Sequence, residues 1–151
     1  MRQTRHIIGI DEAGRGPLAG PVSVAVVSVM PPRLSRTVLD SDKSLGMLRD
    51  SKKLSEKKRE QWLKWLKQKR KSGRLKFMAS LVGEKIIDRV GIVRAVRIGI
   101  KRCLKRLDLE PEQCRVLLDG SLVAPKVYRN QKTIIRGDGK IPIIMLASIV
   151  A

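Results

Sequence analysis

A run of β-branched residues between Pro21 and Met30 limits most strongly what this chain can fold into. Five valines fall within these ten residues, and Pro31 and Pro32 follow at once. β-Branched side chains favour an extended backbone, and proline cannot continue a hydrogen-bonded strand. The run therefore predicts a strand, and the chain must build a sheet around it.

Other segments supply further strands for this sheet and helices to cover it. Short apolar runs predict strands over His6–Asp11, Leu75–Val82, Arg115–Asp119 and Lys132–Arg136. Helical patterns begin at the N-cap residue Ser55 and end near Gly73, run from about Gly91 to Leu107, and cover Ile141–Ala151. Residues 33–54 have a loop-like composition. Strands mixed with helices in this order predict a single α/β domain over residues 1–151.

The charge balance predicts a polyanionic partner. The chain has 33 Lys and Arg against 14 Asp and Glu, which gives a formal net charge of +19. Nucleic acid is the usual partner of so basic a protein, because phosphates that are neutralised by Lys and Arg release their counterions. Two plainer interpretations stay open: a well-solvated surface and a basic structural protein of the ribosomal type.

The densest positive segment lies between Arg49 and Lys76, with thirteen basic and three acidic residues. It contains the first predicted helix, whose Trp62 and Trp65 we interpret as anchors to the core. The lysines on the other face of this helix either are solvated or contact a nucleic-acid backbone. The sequence leaves both possibilities open.

The cysteines and the apolar segments exclude several classes of protein. Cys103 and Cys114 are the only cysteines, and His6 is the only histidine, so a zinc site is not expected. Two isolated thiols fit a reducing compartment, and we interpret them as core residues. No apolar run reaches the length of a membrane span, and Asp11 and Glu12 interrupt any signal peptide. We therefore expect a cytoplasmic protein with no membrane partner.

Acidic residues end two of the predicted strands. Asp11 and Glu12 end the first strand, and Asp119 ends another and precedes a glycine. Adjacent acids at a strand end are often only the start of a polar loop. If the two strands lie side by side, however, the carboxylates meet at one edge of the sheet and repel one another. Clustered carboxylate oxygens are the ligands that Mg²⁺ or Mn²⁺ prefers, and two such ions can hydrolyse a phosphodiester.

Longer motifs resemble those of one family. The segment GIDEAGRGPLAGPV at residues 9–22 resembles the signature of ribonuclease HII, the type 2 ribonuclease H. Further similarities follow in the order of that family: DSKKLS at 50–55, Asp88 with residues 91–95, LDG at 118–120, RGD at 136–138 and ASIVA at 147–151. The resemblance covers nearly the whole chain, and Gly-Arg-Gly at 14–16 favours type 2 over type 3.

The resemblance implies a ribonuclease H-like fold, with a central mixed sheet flanked by helices. It also implies an endonuclease that hydrolyses the RNA strand of RNA–DNA hybrids and cuts 5′ of ribonucleotides in duplex DNA, with Mn²⁺ or Mg²⁺. Asp11, Glu12 and Asp119 match three of the family's four metal-binding carboxylates. Asp11 would bridge both ions, and Glu12 and Asp119 would support the ion nearer the leaving group. We expect a monomer whose partner is hybrid or ribonucleotide-containing duplex.

The resemblance also implies residues that bind the substrate. Gly14, Arg15 and Gly16 match the loop that senses the 2′-hydroxyl, the group that distinguishes RNA from DNA. Glycines there let the backbone approach a sugar closely, and Arg15 can contact a neighbouring phosphate. Lys52 and Lys53 are candidates for holding the strand, although exposed lysines are often only solvated.

The fourth carboxylate is expected beyond the end of this chain. In our interpretation the family's fourth ligand belongs to an Arg-Asp pair a few residues after ASIVA, and Asp138 matches a family position that is not a ligand. A chain that ends at Ala151 would then be truncated and impaired in catalysis. The alternative function is a catalytically impaired nucleic-acid-binding fragment, which would bind hybrid without turnover.

Overall fold

The centre of the molecule is a five-stranded sheet, in a computed structural model that describes residues 3–14, 20–30 and 51–151. The strands are β1 (His6–Ala13), β2 (Val22–Val29), β3 (Leu75–Val82), β4 (Cys114–Asp119) and β5 (Gln131–Ile134). Their order is β3-β2-β1-β4-β5. β2 is antiparallel to β1 and β3, whereas β4 is parallel to β1 and β5. The predicted mixed sheet is confirmed.

Four α-helices accompany this sheet in the described ranges: α1 (Glu56–Lys71), α2 (Glu84–Val90), α3 (Ile92–Leu107) and α4 (Pro142–Val150). The Ser55 hydroxyl caps α1, because it accepts a hydrogen bond from the Lys58 backbone N–H at 3.2 Å. The three helices predicted from the sequence correspond to α1, α3 and α4 and are confirmed. Helix α2 is not predicted from the sequence. Its Ile86, Ile87 and Val90 pack partly buried against the core, but seven residues are too few to show a helical period.

The sheet has a hydrophobic layer on each face. On one face α3 packs on Ile8, Ile10 and Val24, together with both cysteines. On the other face α1 and α4 form a second layer that contains Trp62, Trp65, Ile143 and Leu146. Trp62 is 0% exposed and Trp65 is 3% exposed, so their predicted role as anchors of the helix is confirmed. Both cysteines are buried and free, as expected of core residues.

Helix α4 approaches β1 very closely at Gly9. A Cβ atom on Gly9 would lie 2.5 Å from the backbone oxygen of Ile143, a contact that no flexible side chain can relieve. We expect Gly9→Ala to lower the free energy of unfolding by about 1–3 kcal/mol, the usual cost of overpacking a core. Urea unfolding followed by circular dichroism measures this. Gly83→Ala is the control, since a Cβ there meets nothing within 4 Å; an equal loss in both variants would contradict the close packing.

Candidate metal centre

The pairing of β1 with β4 brings two acidic residues together. These strands are parallel, and Ile10 is the register partner of Leu118, so Asp11 and Asp119 follow as neighbours at the same edge. Side chains alternate between the faces of a strand. Ile7 and Leu117 pack into the layer that contains α4, so Asp11 and Asp119 face the same side. The predicted convergence of these two residues agrees with this geometry.

Asp138 is the third acidic residue at this edge. It lies in a 3-10 turn (Gly137–Gly139) that follows β5, and its backbone N–H donates to Asp119 Oδ1 at 3.1 Å. One carboxylate oxygen from each of Asp11, Asp119 and Asp138 lies within 4.8 Å of the other two. A Cβ on Gly137 would lie 2.7 Å from Ile144 Cδ1, so the turn packs tightly onto α4. The tight packing holds Asp138 at the cluster.

From the sequence, Asp138 is not expected to be a ligand, and the fourth carboxylate is expected after Ala151. The structure instead brings Asp138 into the cluster. The useful signal was present: β5 is another strand of the same sheet, and Gly-Asp-Gly follows shortly after its end. Parallel strands end at one edge, so an acid after β5 falls near acids that end β1 and β4.

Glu12 lies beside this cluster and not within it. Its backbone N–H donates to Asp11 Oδ1 at 2.8 Å, and it pairs with Val24 on β2. Strand alternation directs its side chain toward the face opposite that of Asp11. Its charge is nevertheless close enough to raise the pKa of Asp11. The role predicted for Glu12 as a metal ligand stays a prediction.

The pKa of Asp11 is strongly perturbed in this cluster. Its pKa is raised to about 8, mainly by burial and also by the charges of Asp119 and Glu12, while hydrogen bonds from the Glu12 N–H and the Ser148 side chain oppose the rise. Asp11 is 3% exposed and Asp138 is 9% exposed, so water does little to relieve the repulsion. Hard oxygen donors in this arrangement fit a divalent cation such as Mg²⁺ or Mn²⁺.

The residues predicted to bind substrate are only partly described. Gly14 has a φ of 85°, and a Cβ there would lie 2.7 Å from the Pro21 carbonyl oxygen, so the position requires glycine. Arg15 and Gly16 lie outside the described residues. Lys52 and Lys53 are exposed on a short 3-10 helix (Ser51–Lys53) that contacts α4. Their part in binding stays a prediction.

A cleft of about 370 Å³ opens beside the acidic cluster. Ser148, which hydrogen-bonds to Asp11, lines it together with Ala13 from β1 and Glu60 from α1. Three elements of the fold therefore border a single opening next to the most buried carboxylate.

A comparison with a family model shows which family this chain belongs to. The model for ribonuclease HII matches residues 8–151. The chain belongs to the ribonuclease HII family. It is 39% identical over 145 residues to a ribonuclease HII from Endomicrobium trichonymphae, in a match that covers 96% of this chain and 61% of that relative. The chain thus spans less than two thirds of the length of this relative.

Solved structures of ribonuclease HII and ribonuclease HIII have a similar fold. A chain in the PCNA:RNase HII complex from Archaeoglobus fulgidus matches with a TM-score of 0.69 and 25% identity, over 96% of this chain and 70% of that one. A structure of Bst-RNase HIII in complex with Mn²⁺ matches with a TM-score of 0.66 and 18% identity, over 99% of this chain and 51% of that one. The predicted ribonuclease H-like fold is confirmed.

No helix among the described residues has the length and apolar character that crossing a membrane requires.

The pKa of Asp11 predicts how pH affects the metal-free protein. Its folded value of about 8 lies above its ordinary value of 3.8, so the unfolded chain loses this proton first as the pH rises. The contribution of Asp11 to the free energy of unfolding is therefore intact below about pH 4 and falls by several kcal/mol toward pH 8. We expect Asp11→Asn, which has no such proton, to become progressively more stable than the wild type over this range in EDTA.

Urea titrations of both proteins at several pH values measure this difference. Mg²⁺ or Mn²⁺ should stabilise the wild type at pH 8 and have little effect on Asp11→Asn. Parallel stability profiles of the two proteins in EDTA would contradict the assignment of this proton to Asp11.

Proposed function

We propose that this chain is a metal-dependent ribonuclease H. It hydrolyses the RNA strand of RNA–DNA hybrids and cuts 5′ of ribonucleotides embedded in duplex DNA, by two-metal-ion catalysis. The cluster of Asp11, Asp119 and Asp138 is the observation that carries this proposal. Membership of the ribonuclease HII family supports it, and the high positive charge of the chain fits a nucleic-acid substrate.

In this proposal the clustered carboxylates of Asp11, Asp119 and Asp138 hold the ions. Glu12 is proposed as a further ligand on the family resemblance, and its side chain would have to turn from the opposite face of β1 to reach them. Two divalent ions at such a site activate a water and stabilise the leaving oxygen of a phosphodiester. Ser148 orients the Asp11 carboxylate through its hydrogen bond. The Asp138 backbone N–H orients Asp119 in the same way. These contacts hold the oxygen ligands in place before metal arrives, which lowers the cost of assembling the site.

Mn²⁺ and Mg²⁺ are both proposed as cofactors. The donors are hard carboxylate oxygens, which suit either ion, and the similar ribonuclease HIII structure contains Mn²⁺. On the substrate side we propose that Gly14, Arg15 and Gly16 contact the ribose 2′-hydroxyl and its neighbouring phosphate. Lys52 and Lys53 are proposed to contact the strand backbone.

We further propose that residues 1–151 form a single catalytic domain that acts as a cytoplasmic monomer. Support for the single domain comes from one sheet that is covered on both faces by hydrophobic layers. The two free, buried thiols fit a reducing compartment.

The alternative, a fragment that binds nucleic acid but is impaired in catalysis, was based on a missing fourth carboxylate. The position of Asp138 beside Asp11 and Asp119 supports Asp138 as that fourth carboxylate. We therefore favour the active enzyme.

The test uses the 151-residue chain and a DNA duplex with one embedded ribonucleotide. Incubation with Mg²⁺ or with Mn²⁺ should nick the ribonucleotide strand on its 5′ side, as a sequencing gel shows. An all-DNA duplex of the same sequence is the control and should stay intact. Binding without nicking, by protein that is folded by circular dichroism, would favour the impaired fragment instead.

A further inference from the structure

Helix α3 carries an unusual set of charges. Its sixteen residues include six cations and no acid. All six are exposed: Arg94, Arg97, Lys101, Arg102, Lys105 and Arg106. The apolar side of α3 packs into the hydrophobic layer that lies on the opposite face of the sheet from the acidic cluster. The cations of α3 therefore form a surface separate from the candidate metal centre.

The structure divides these six cations into two groups. Arg102 donates from Nη1 to the Leu81 carbonyl oxygen and Arg106 to that of Ala79, both at 3.4 Å. Leu81 and Ala79 belong to β3, which is an edge strand of the sheet. These two arginines cover carbonyl groups of β3 that have no neighbouring strand among the described residues, which is a structural role.

The other four cations form a continuous row, which we call the α3 row: Arg94, Arg97, Lys101 and Lys105. Residues three and four apart in a helix are neighbours, so the members of the row repel one another. Arg94 also lies in the first turn, where the helix dipole disfavours a positive charge and where α3 has no acidic residue. Like charges kept adjacent in this way are stabilised by a polyanion.

The direction of α3 relates the row to the metal centre. Arg102 contacts Leu81, and the later residue Arg106 contacts the earlier residue Ala79, so α3 runs antiparallel to β3. β3 runs in the same direction as β1, since both are antiparallel to β2. The row therefore begins, at Arg94, near the end of the sheet where β1 reaches Asp11. From there it extends away from that end along the opposite face of the sheet.

We propose that the α3 row is a second nucleic-acid contact surface, which binds the phosphate backbone of a duplex on the side of the sheet away from the acidic cluster. At a rise of 1.5 Å per residue the row is ~16 Å long, which corresponds to roughly five phosphates of one strand. An anionic membrane fits less well, because the apolar side of α3 is buried on the sheet and cannot insert.

The proposal is tested by binding and not by cleavage, so it can fail independently of the proposed nuclease function. The variant is Arg97→Gln/Lys101→Gln/Lys105→Gln, and the probe is a fluorescent 30-base-pair DNA duplex without ribonucleotides, in EDTA. Each lost phosphate contact reduces the slope of log K against log salt by about one. We expect the slope to fall by about three and the affinity at low salt to drop at least tenfold.

Arg102→Gln/Arg106→Gln is the matched control, since it removes two cations from the same helix. Its salt slope should change by less than one, and circular dichroism should show that both variants are folded. Equal slopes in the wild type and the α3 row variant would overturn the proposal. So would equal changes per charge in the row variant and the control, which would indicate a net-charge effect. Row-dependent binding to phosphatidylserine vesicles, with no row-dependent binding to duplex, would assign the row to membranes and overturn it too.

Discussion

Asp11→Asn is expected to reduce the cleavage of a duplex that contains one ribonucleotide by at least about a thousandfold, which corresponds to ~4 kcal/mol of transition-state stabilisation. Asn has nearly the shape of Asp but no negative charge, and Asp11 is the most buried acid of the cluster. In the proposed mechanism its loss removes one oxygen ligand of the metal ions. Single-turnover cleavage with saturating protein measures this effect separately from binding.

In EDTA, where no metal ion is bound, binding of the duplex should not weaken in Asp11→Asn, because the variant only removes an acidic group from a site next to a polyanion. Asp108→Asn is the matched control. Asp108 ends α3 with a φ of 51°, a left-handed conformation that Asn tolerates as well as Asp does, and it is exposed. Cleavage by the control should stay within twofold of the wild type. Near-normal cleavage by Asp11→Asn would remove the basis of the proposed mechanism.

Asp138→Asn is expected to reduce cleavage about a hundredfold and to raise the Mn²⁺ concentration needed for half-maximal activity at least tenfold. The substitution is informative because Asn keeps the backbone N–H that donates to Asp119 Oδ1. It therefore removes the Asp138 carboxylate and leaves the orientation of Asp119 intact. Metal titrations of the cleavage rate for the wild type and the variant measure both changes.

The same experiment decides between two interpretations of the fourth carboxylate. If that ligand belonged to a segment after Ala151, Asp138→Asn would change the metal requirement only slightly, since Asp138 would be a neighbour of the site and not a ligand. An effect below about threefold would support that interpretation. Asp108→Asn again serves as the control for the loss of one acidic charge.

The sequence predicted those parts of the fold that depend on local patterns. The valines of β2 and the apolar stripe of α3 each determine one element, so the elements follow from neighbouring residues. The meeting of Asp11 with Asp119 required only that two strands end at one edge. Asp138 follows the same rule, since β5 is parallel to β4, but it lies in the turn after β5 and not in the strand itself. Its place at the cluster therefore depends on how that turn packs on α4, which no local pattern specifies. The role of Glu12 depends on which face of β1 it occupies, and adjacency to Asp11 in sequence conceals that difference.

The sheet order also determines when during synthesis the acidic cluster can form. β1 is made first, yet one of its two neighbours is β4, and Asp11 and Asp119 are separated by more than a hundred residues. Contacts between distant parts of a chain form slowly, and domains fold as they leave the ribosome. A growing chain therefore keeps one side of β1 without its partner until β4 has emerged. Asp138 completes the cluster only after β5 and the following turn are made, so the nascent protein carries no assembled centre until residue 138 has been translated.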